Sequence, residues 1–527
     1  MKMDKVAGSG NDEFYTPLYA VKPIFKYLKP GARIWCPFDT EDSLFVRYGR
    51  QKGFKVIASH IDNGKDFFKV WLKKQPDYII SNPPYSCLTP DHDVLTDSGW
   101  KPICEVKEND KVLSVDHSTL KMSYERVEHL IVKEVNEYLY HFNSKNIDLK
   151  VTADHRMFVF SNYKDILRID KNTNDLITAK QVCPTNYVPV HGYTFDGRSE
   201  EYFEIPGCYV NVNKNHVKWV EPVKINMLDW ARFLGIWIAD GHYRTGKNTN
   251  GNQRYSIGIK QSSATGDQVL EIMSKLPYKV SVYNAGGDKK NYDIHSKQLW
   301  LVMSELGNSH TKFIPNYIKN GTKEVIEAFL DGYTFGDSHK IGNTLIYSSV
   351  SKRLMEDLQE VILKGRGDLF SSINSGTTKT GALYNLCVTY SSIRARMRYG
   401  TPEKELYNGK VYCLQLAKNS VFLVRRNGKT TFTGNCKQQV LQRLFKHDVP
   451  FAMLMGVVGL FESQARFEMF GDNEFETMYF NKRISYFQDY NEPKPSKHPP
   501  FSSIYVCHNI LPDKYVFEEI DTKEYTL

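Results

Sequence analysis

PDYIISNPPYS, residues 76 to 86, is a short apolar strand running into a proline-fixed turn. In a strand–helix fold the next element is a helix. Here Cys87 opens a long stretch of different character, and the first suitable helix, CKQQVLQRLF, starts only at Cys436. Residues 87–435 therefore read as an insert of 349 residues, leaving 178 of the 527 in two flanks. Joined across the gap, the flanks alternate the strands ARIW, KVIAS, DYIIS, AMLMGVVGL, TMYF and SIYVCH with the helices YAVKPIFKYL, LFVRYGRQ and KQQVLQRLF. That alternation predicts one α/β domain with a mainly parallel, doubly wound sheet and its site at the carboxyl strand ends, where Asn82 falls.

Composition narrows the class. The apolar run FAMLMGVVGLF is too short to span a bilayer, and the polar start MKMDKVAGSGND has no signal-peptide pattern. Nine scattered cysteines without a C-x-x-C pair argue for a reducing, cytoplasmic setting and against a disulfide framework. Of the net charge of +9, the insert carries most: 45 basic and 38 acidic side chains, against 24 and 22 in the flanks. A mild basic excess suits nucleic-acid contact and fits a solvated lysine-rich surface equally.

The insert's edges carry nucleophiles. Cys87 begins it, Asn435 ends it and Cys436 follows. Inside lies VTADHRMFVF, an apolar strand interrupted by Thr152 and His155. CLTPDHDVLTDSGWKPICEV at the start and VYCLQLAKNSVFLVRRNGKTTFTGNC at the end complete a pattern that resembles inteins, the self-splicing elements. The resemblance implies an all-β, horseshoe-shaped Hint splicing domain, which the short alternating strands KVLSVD, YLYHF, LKVTA and MFVF also favour. It implies that Cys87 attacks the Ser86 carbonyl, that Thr152 and His155 assist, that Cys436 takes the acyl group and that Asn435 cyclises, none of it needing a cofactor. Gly434, Cys413 and Ser420 stand where inteins usually have histidine, aspartate and histidine.

Between the two halves of that pattern, FLGIWIADGH (233–242) and FLDGYTFGDSH (329–339) each place an aspartate five residues after a glycine: Gly235 to Asp240 and Gly332 to Asp337. They resemble the paired helices of LAGLIDADG homing endonucleases, with Ser338 replacing the second trailing glycine. The resemblance implies an α+β domain, two helices meeting on small residues, and Asp240 and Asp337 binding Mg2+ to cut double-stranded DNA. KFIP, 312 to 315, resembles the segment supplying a catalytic lysine, here Lys312, and YSSVSKRLMEDLQEVILKG resembles the next helix. NTNGNQRYSIGIK and YSSIRARMRYG are candidate DNA-contacting strands.

The flanks carry a third pattern. Asn82, Pro83, Pro84 and Tyr85, with NDEFYTP upstream and DFF at 66–68, resemble phage-type DNA adenine methyltransferases. By that resemblance Asn82 and the Pro83 carbonyl accept bonds from the adenine amine and Tyr85 stacks on the flipped base. S-adenosylmethionine would lie against Tyr15, Thr16, Pro17, Phe38, Asp39, Asp62 and Asp66. WCPFDTEDS replaces the usual glycine-rich loop, and His60 stands in the place of the usual ribose-binding acid.

The whole reads as a multidomain precursor. A Rossmann-like methyltransferase (1–86 and 436–527) is split by a splicing domain (87–225 and 401–435), which carries an endonuclease (226–400). Its expected partner is double-stranded DNA, with no membrane and no obligatory protein partner. Two alternatives stand beside it: an unspliced restriction–modification fusion, and a degenerate methylase that only binds DNA.

Overall fold

A computed structural model describes residues 15–60, 65, 67, 71–83, 87–116, 118–144, 147–160, 174–184, 186–187, 193–213, 216–247, 253–366, 369–378, 381–390, 400–434, 438–457, 460, 464–487 and 502–527. Three layers of chain are nested, each built from segments on both sides of the next.

The outer layer is a seven-stranded sheet in the order Lys55–Ala58, Arg33–Cys36, Tyr78–Ser81, Phe451–Gly456, Ser503–His508, Glu476–Phe480 and Tyr515–Glu518. Three strands precede Cys87 and four follow Asn435. They join where Phe451–Gly456 lies parallel to Tyr78–Ser81, Ala452 opposite Ile80. The central strands are apolar on both faces, as a covered sheet requires. Ile34, Ile80, Ala452 and Tyr505 face a core with the helices Leu18–Phe25 and Leu44–Gln51. Trp35, Ile79, Met453 and Val506 face a second core that includes Val440, Leu441 and Leu444 of the helix Gln438–His447. The sheet is mixed rather than mainly parallel at its far side, because Ser503–His508 runs antiparallel to both neighbours.

The middle layer is all β. Its longest pairing sets Lys121–Asn143 against Glu403–Leu416, with Glu403 opposite His141. Asp93–Thr96 pairs with Val421–Arg426, placing Val94 opposite Val424. The beginning and the end of the insert thus share one core, with Val94, Val112, Phe142, Leu149, Leu414 and Phe422 in it.

The inner layer holds two long helices, Met227–Asp240 and Lys323–Gly336. Each leads into strands. Gly241–Lys247, Gln253–Ser262, Lys289–Ile294 and Val280–Asn284 follow the first in one four-stranded sheet. His339–Ile341, Thr344–Ser349, Gly381–Tyr390 and Leu369–Thr378 follow the second. The core around the helices also takes in Ile205 and Ile225, so the pair Tyr202–Ile205 and Val223–Asn226 packs with this layer. Of the two expected DNA-contacting stretches, 248–252 and 391–399 lie outside the described residues. Helix Lys352–Gly365, capped by the Ser351 hydroxyl, ties the inner layer to the middle one. Its Lys364 bonds to the Tyr124 hydroxyl at 3.0 Å, and its Gln359 to the Gly428 carbonyl at 2.9 Å. Among the described residues no helix is long and apolar enough to cross a membrane.

Candidate functional site

The first constellation follows from two glycines. A Cβ on Gly235 would stand 2.2 Å from the Phe329 carbonyl oxygen, and one on Gly332 2.0 Å from that of Arg232. The helix backbones are therefore in contact, which only glycine allows. Farther along, a Cβ on Gly336 would come within 2.6 Å of the Ala239 Cβ. Gly235 and Gly332, Ala239 and Gly336, Asp240 and Asp337 are each 97 residues apart, so the helices meet about a local two-fold axis. Asp240 closes the first helix and Asp337 caps the second.

These two aspartates feel one another. Burial and the Asp337 charge push the Asp240 carboxyl up to about 6. Burial also raises Asp337, opposed by the His339 and Lys312 charges. Neither carboxylate forms an ion pair among the described residues. Gln261 donates its amide to Asp240 and, at 3.4 Å, to the Gly336 carbonyl, bridging the helix ends. No motif marks Gln261; only the fold brings it there. Two neighbouring hard-oxygen donors of like charge, only partly offset by Lys312, Lys289 and His339, fit a divalent cation.

Lys312 has a different setting from the expected one. Its ammonium donates to the carbonyls of Trp237 (3.0 Å), Ile238 (2.9 Å) and Gly241 (2.8 Å), and lies 4.7 Å over the Trp237 ring. All three N–H groups are spent on carbonyls at the end of the Asp240 helix, so Lys312 caps that helix. Burial lowers its ammonium to about 8, against the pull of both aspartates.

The second constellation joins the insert's edges. The Cys87 amide donates to the Thr152 hydroxyl at 3.0 Å, and the Thr152 amide to the Cys87 carbonyl at 3.1 Å. The His155 Nε2 lies 2.6 Å from the Thr433 hydroxyl, and the His155 amide bonds back to the Thr152 carbonyl. One turn, Thr152–His155, thus touches both ends of a 349-residue segment. Burial, with His92 adding, pushes the His155 imidazole down to about 3, so the ring is neutral. Its buried Nδ1 has no partner among the described residues. Leu88 and Tyr412 exchange backbone bonds at 2.7 Å, which sets Cys413 opposite Cys87 in a small buried cluster. At Gly434 a Cβ would stand 2.7 Å from the Arg156 carbonyl oxygen, so no larger residue fits there. Asn435 and Cys436 lie outside the described residues.

The third lies at the carboxyl ends of the outer strands. Asn82 donates its amide to the Thr16 hydroxyl at 3.4 Å, and its side-chain oxygen has no partner among the described residues. Tyr15 pairs with Phe487, and Pro17 leads into helix Leu18–Phe25. The Pro83 side chain is buried, while Pro84, Tyr85, Asp62 and Asp66 lie outside the described residues. Asp39 was expected against a cofactor. Its carboxylate instead accepts from the Ser43 hydroxyl at 2.5 Å and from the Ser81 hydroxyl, tying a helix start to a strand end. Phe38 packs on Phe67, 4.9 Å between ring centres. The described donors do not amount to a cradle for S-adenosylmethionine: the acid is bound internally and the loop has no glycine.

No family model matches the chain. In fold, 31% of the chain is similar to 90% of the homing endonuclease I-DmoI, solved in complex with DNA and Mn, at 18% identity and a TM-score of 0.26. In sequence, 324 residues (58% of the chain) are 27% identical to the ATP-dependent Clp protease proteolytic subunit of Chlamydomonas moewusii. Another 417-residue match, 67% of the chain, is 27% identical to the DNA-directed RNA polymerase subunit beta C-terminal section of Stigeoclonium helveticum. The chain spans 29% and 36% of the lengths of these two relatives.

Proposed function

We propose that the chain is a precursor that excises residues 87–435 and joins 1–86 to 436–527. The observation that carries this reading is the meeting of both insert edges at Thr152–His155, while the flanks close into one sheet around them. In the first step the Cys87 sulfur attacks the Ser86 carbonyl carbon. A C–S bond forms, the C–N bond breaks, and the proton that leaves the Cys87 thiol is handed by His155 to the freed nitrogen, so that the ring ends neutral as it began. Nδ1 is open to take and pass that proton when Nε2–H donates to the Thr433 hydroxyl. Cys436 then displaces the Cys87 thiolate from the thioester. The Asn435 side-chain amide attacks its own backbone carbonyl and releases the Cys436 amine, which takes the acyl group from its own sulfur as a peptide bond. The two curated relatives bear names of unrelated activities, yet each matches a share of the chain comparable to the insert's 349 of 527 residues. An element carried between unrelated proteins has that distribution.

The excised insert is proposed as a LAGLIDADG-type DNA endonuclease. Asp240 and Asp337 would hold Mg2+, which supplies charge stabilisation at the scissile phosphate. Lys312 and Gln261 fix Asp240, and the adjoining sheets hold the duplex. The joined flanks are proposed as an adenine methyltransferase, with the free Asn82 oxygen accepting from the adenine amine. The internal bonding of Asp39 favours a second reading of the flanks, as a DNA-binding module without cofactor.

Mass measurement on freshly expressed chain tests the first claim. Wild type gives one product of 349 residues and one of 178, while Cys87→Ala and Asn435→Ala leave no joined product. Wild-type chain persisting whole in reducing buffer overturns the splicing reading. Calorimetric titration of the 178-residue product with S-adenosylmethionine separates the two readings of the flanks.

A further inference from the structure

One element of the inner layer has no role in any of the three constellations. Cys208–Asn213 and His216–Val220 form an antiparallel ribbon, with Tyr209 opposite Trp219 and Val210 opposite Lys218. Among the described residues it pairs with no third strand. Tyr209 is 63% exposed, Val217 55% and Trp219 41%. A bare two-stranded ribbon is marginal in water, so exposing three apolar side chains on one calls for an occupant.

The ribbon's foot is anchored. Gln298, only 3% exposed, donates its amide to the carbonyls of Pro206 (3.0 Å) and Glu221 (2.8 Å), the residues entering and leaving the ribbon. Its side-chain oxygen accepts from the Tyr278 hydroxyl at 3.0 Å. The neighbouring Lys297 donates to the Tyr209 carbonyl at 2.7 Å. These residues open the helix Lys297–Ser304, just past the strand Lys289–Ile294. That strand runs away from the acidic centre. Gly241, beside Asp240, pairs with Ile259, whereas Lys247 pairs with Gln253 at the far end, about 20 Å away. Lys297 lies 5.9 Å over the Tyr255 ring at that far end. The ribbon therefore stands at the outer end of the sheet.

Charge names the occupant. Residues 208–220 contain two lysines and a histidine and no acid, with Glu221 at the ribbon's foot; residues 241–262 of the adjoining sheet contain four basic side chains and no acid. A duplex groove admits a two-stranded ribbon, with lysine and asparagine on phosphates and aromatic faces against sugars and bases. We infer that the ribbon is an arm that extends the DNA-contacting surface of this sheet outward, gripping double-stranded DNA beyond the cleavage centre. The inference rests on the endonuclease reading.

The test uses full-length Cys87→Ala/Asn435→Ala chain, uniform because it does not splice. The probes are 12- and 60-base-pair duplexes of the intein-free coding sequence, centred where the Ser86 codon meets that of Cys436; the shorter ends about 20 Å from its centre, short of the ribbon. Fluorescence anisotropy in calcium buffer should show the longer duplex bound at least about tenfold more tightly, as a few added phosphate contacts allow. Tyr209→Ala/Lys218→Glu should lower affinity for the long duplex, leave the 12-base-pair affinity unchanged and lower the salt slope on the long duplex by about 1. Lys218→Arg alone should keep both. Equal affinity and slope for the double variant and its parent on the long duplex overturn the arm. Parent chain that prefers neither junction duplex over a scrambled one refutes the endonuclease reading itself, a different outcome.

Discussion

Asp240 and Gly434 show what single residues impose. In the proposed endonuclease Mg2+ would bind the Asp240 carboxylate, not its acid, and burial with the Asp337 charge raises that carboxyl to about 6. Magnesium affinity of non-splicing Cys87→Ala chain, followed by calorimetry, should therefore fall as pH drops through about 6. In an Asp337→Asn background the midpoint should move to lower pH, because one of the two raising causes is gone. At the insert edge, histidine is the usual intein residue where this chain has Gly434, and a repair toward the usual sequence invites Gly434→His. With the Arg156 carbonyl 2.7 Å from any Cβ, that substitution should lower the spliced fraction seen by mass measurement, not raise it. A rise would mean that the strand gives way without cost.

Among the elements, the helix pair is the most demanding. Gly332→Ala puts a Cβ 2.0 Å from a backbone oxygen, and a backbone cannot rotate aside as a side-chain tip can. The helices must separate, with an overpacking cost of about 1–3 kcal/mol or more. The proposed metal-dependent cleavage should be lost, with a lower thermal midpoint, while the proposed splicing at Thr152–His155 continues. Gly471→Ala, at the end of the outer-layer helix Gln464–Gly471, where a Cβ meets nothing within 4 Å, is the control and should leave cleavage intact. The equal Gly-to-Asp spacing made these helices legible in sequence. The cap by Lys312 was not, since a K-x-I-P segment specifies a lysine but not the three carbonyls it finds.

For the whole molecule, two buried imidazoles couple the middle layer's stability to pH. Burial pushes His92 to about 4 and His155 to about 3, both below the ordinary value of 6.5. The folded chain binds fewer protons than the unfolded one below pH 6.5, so stability is full above that pH and is lost as pH falls toward 4. Asp240 works in the opposite sense over part of that range. Thermal unfolding of Cys87→Ala chain between pH 7.5 and 4.5 should show a falling midpoint, and His155→Gln should flatten the fall. A level midpoint in the parent chain would remove the buried neutral histidine from the account. The same layer is tied to the inner one through Lys364, Glu360 and Tyr124, so the two are expected to unfold together.

The sequence by itself determined the local elements: six of the seven outer strands, the helices that cover them and the paired acidic helices. Each is written in a short window, as period, spacing or residue type. Only the tertiary structure decided which side chains are spent and which are free. It gave the Lys312 ammonium to a helix end and the Asp39 carboxylate to two serines, brought Gln261 to Asp240, closed the space at Gly434 and left a cationic ribbon uncovered. Ser43 apart, which lies four residues from Asp39, these hydrogen-bond partners and this filled volume come from chain segments far apart in sequence, and no short window contains both members of such a pair.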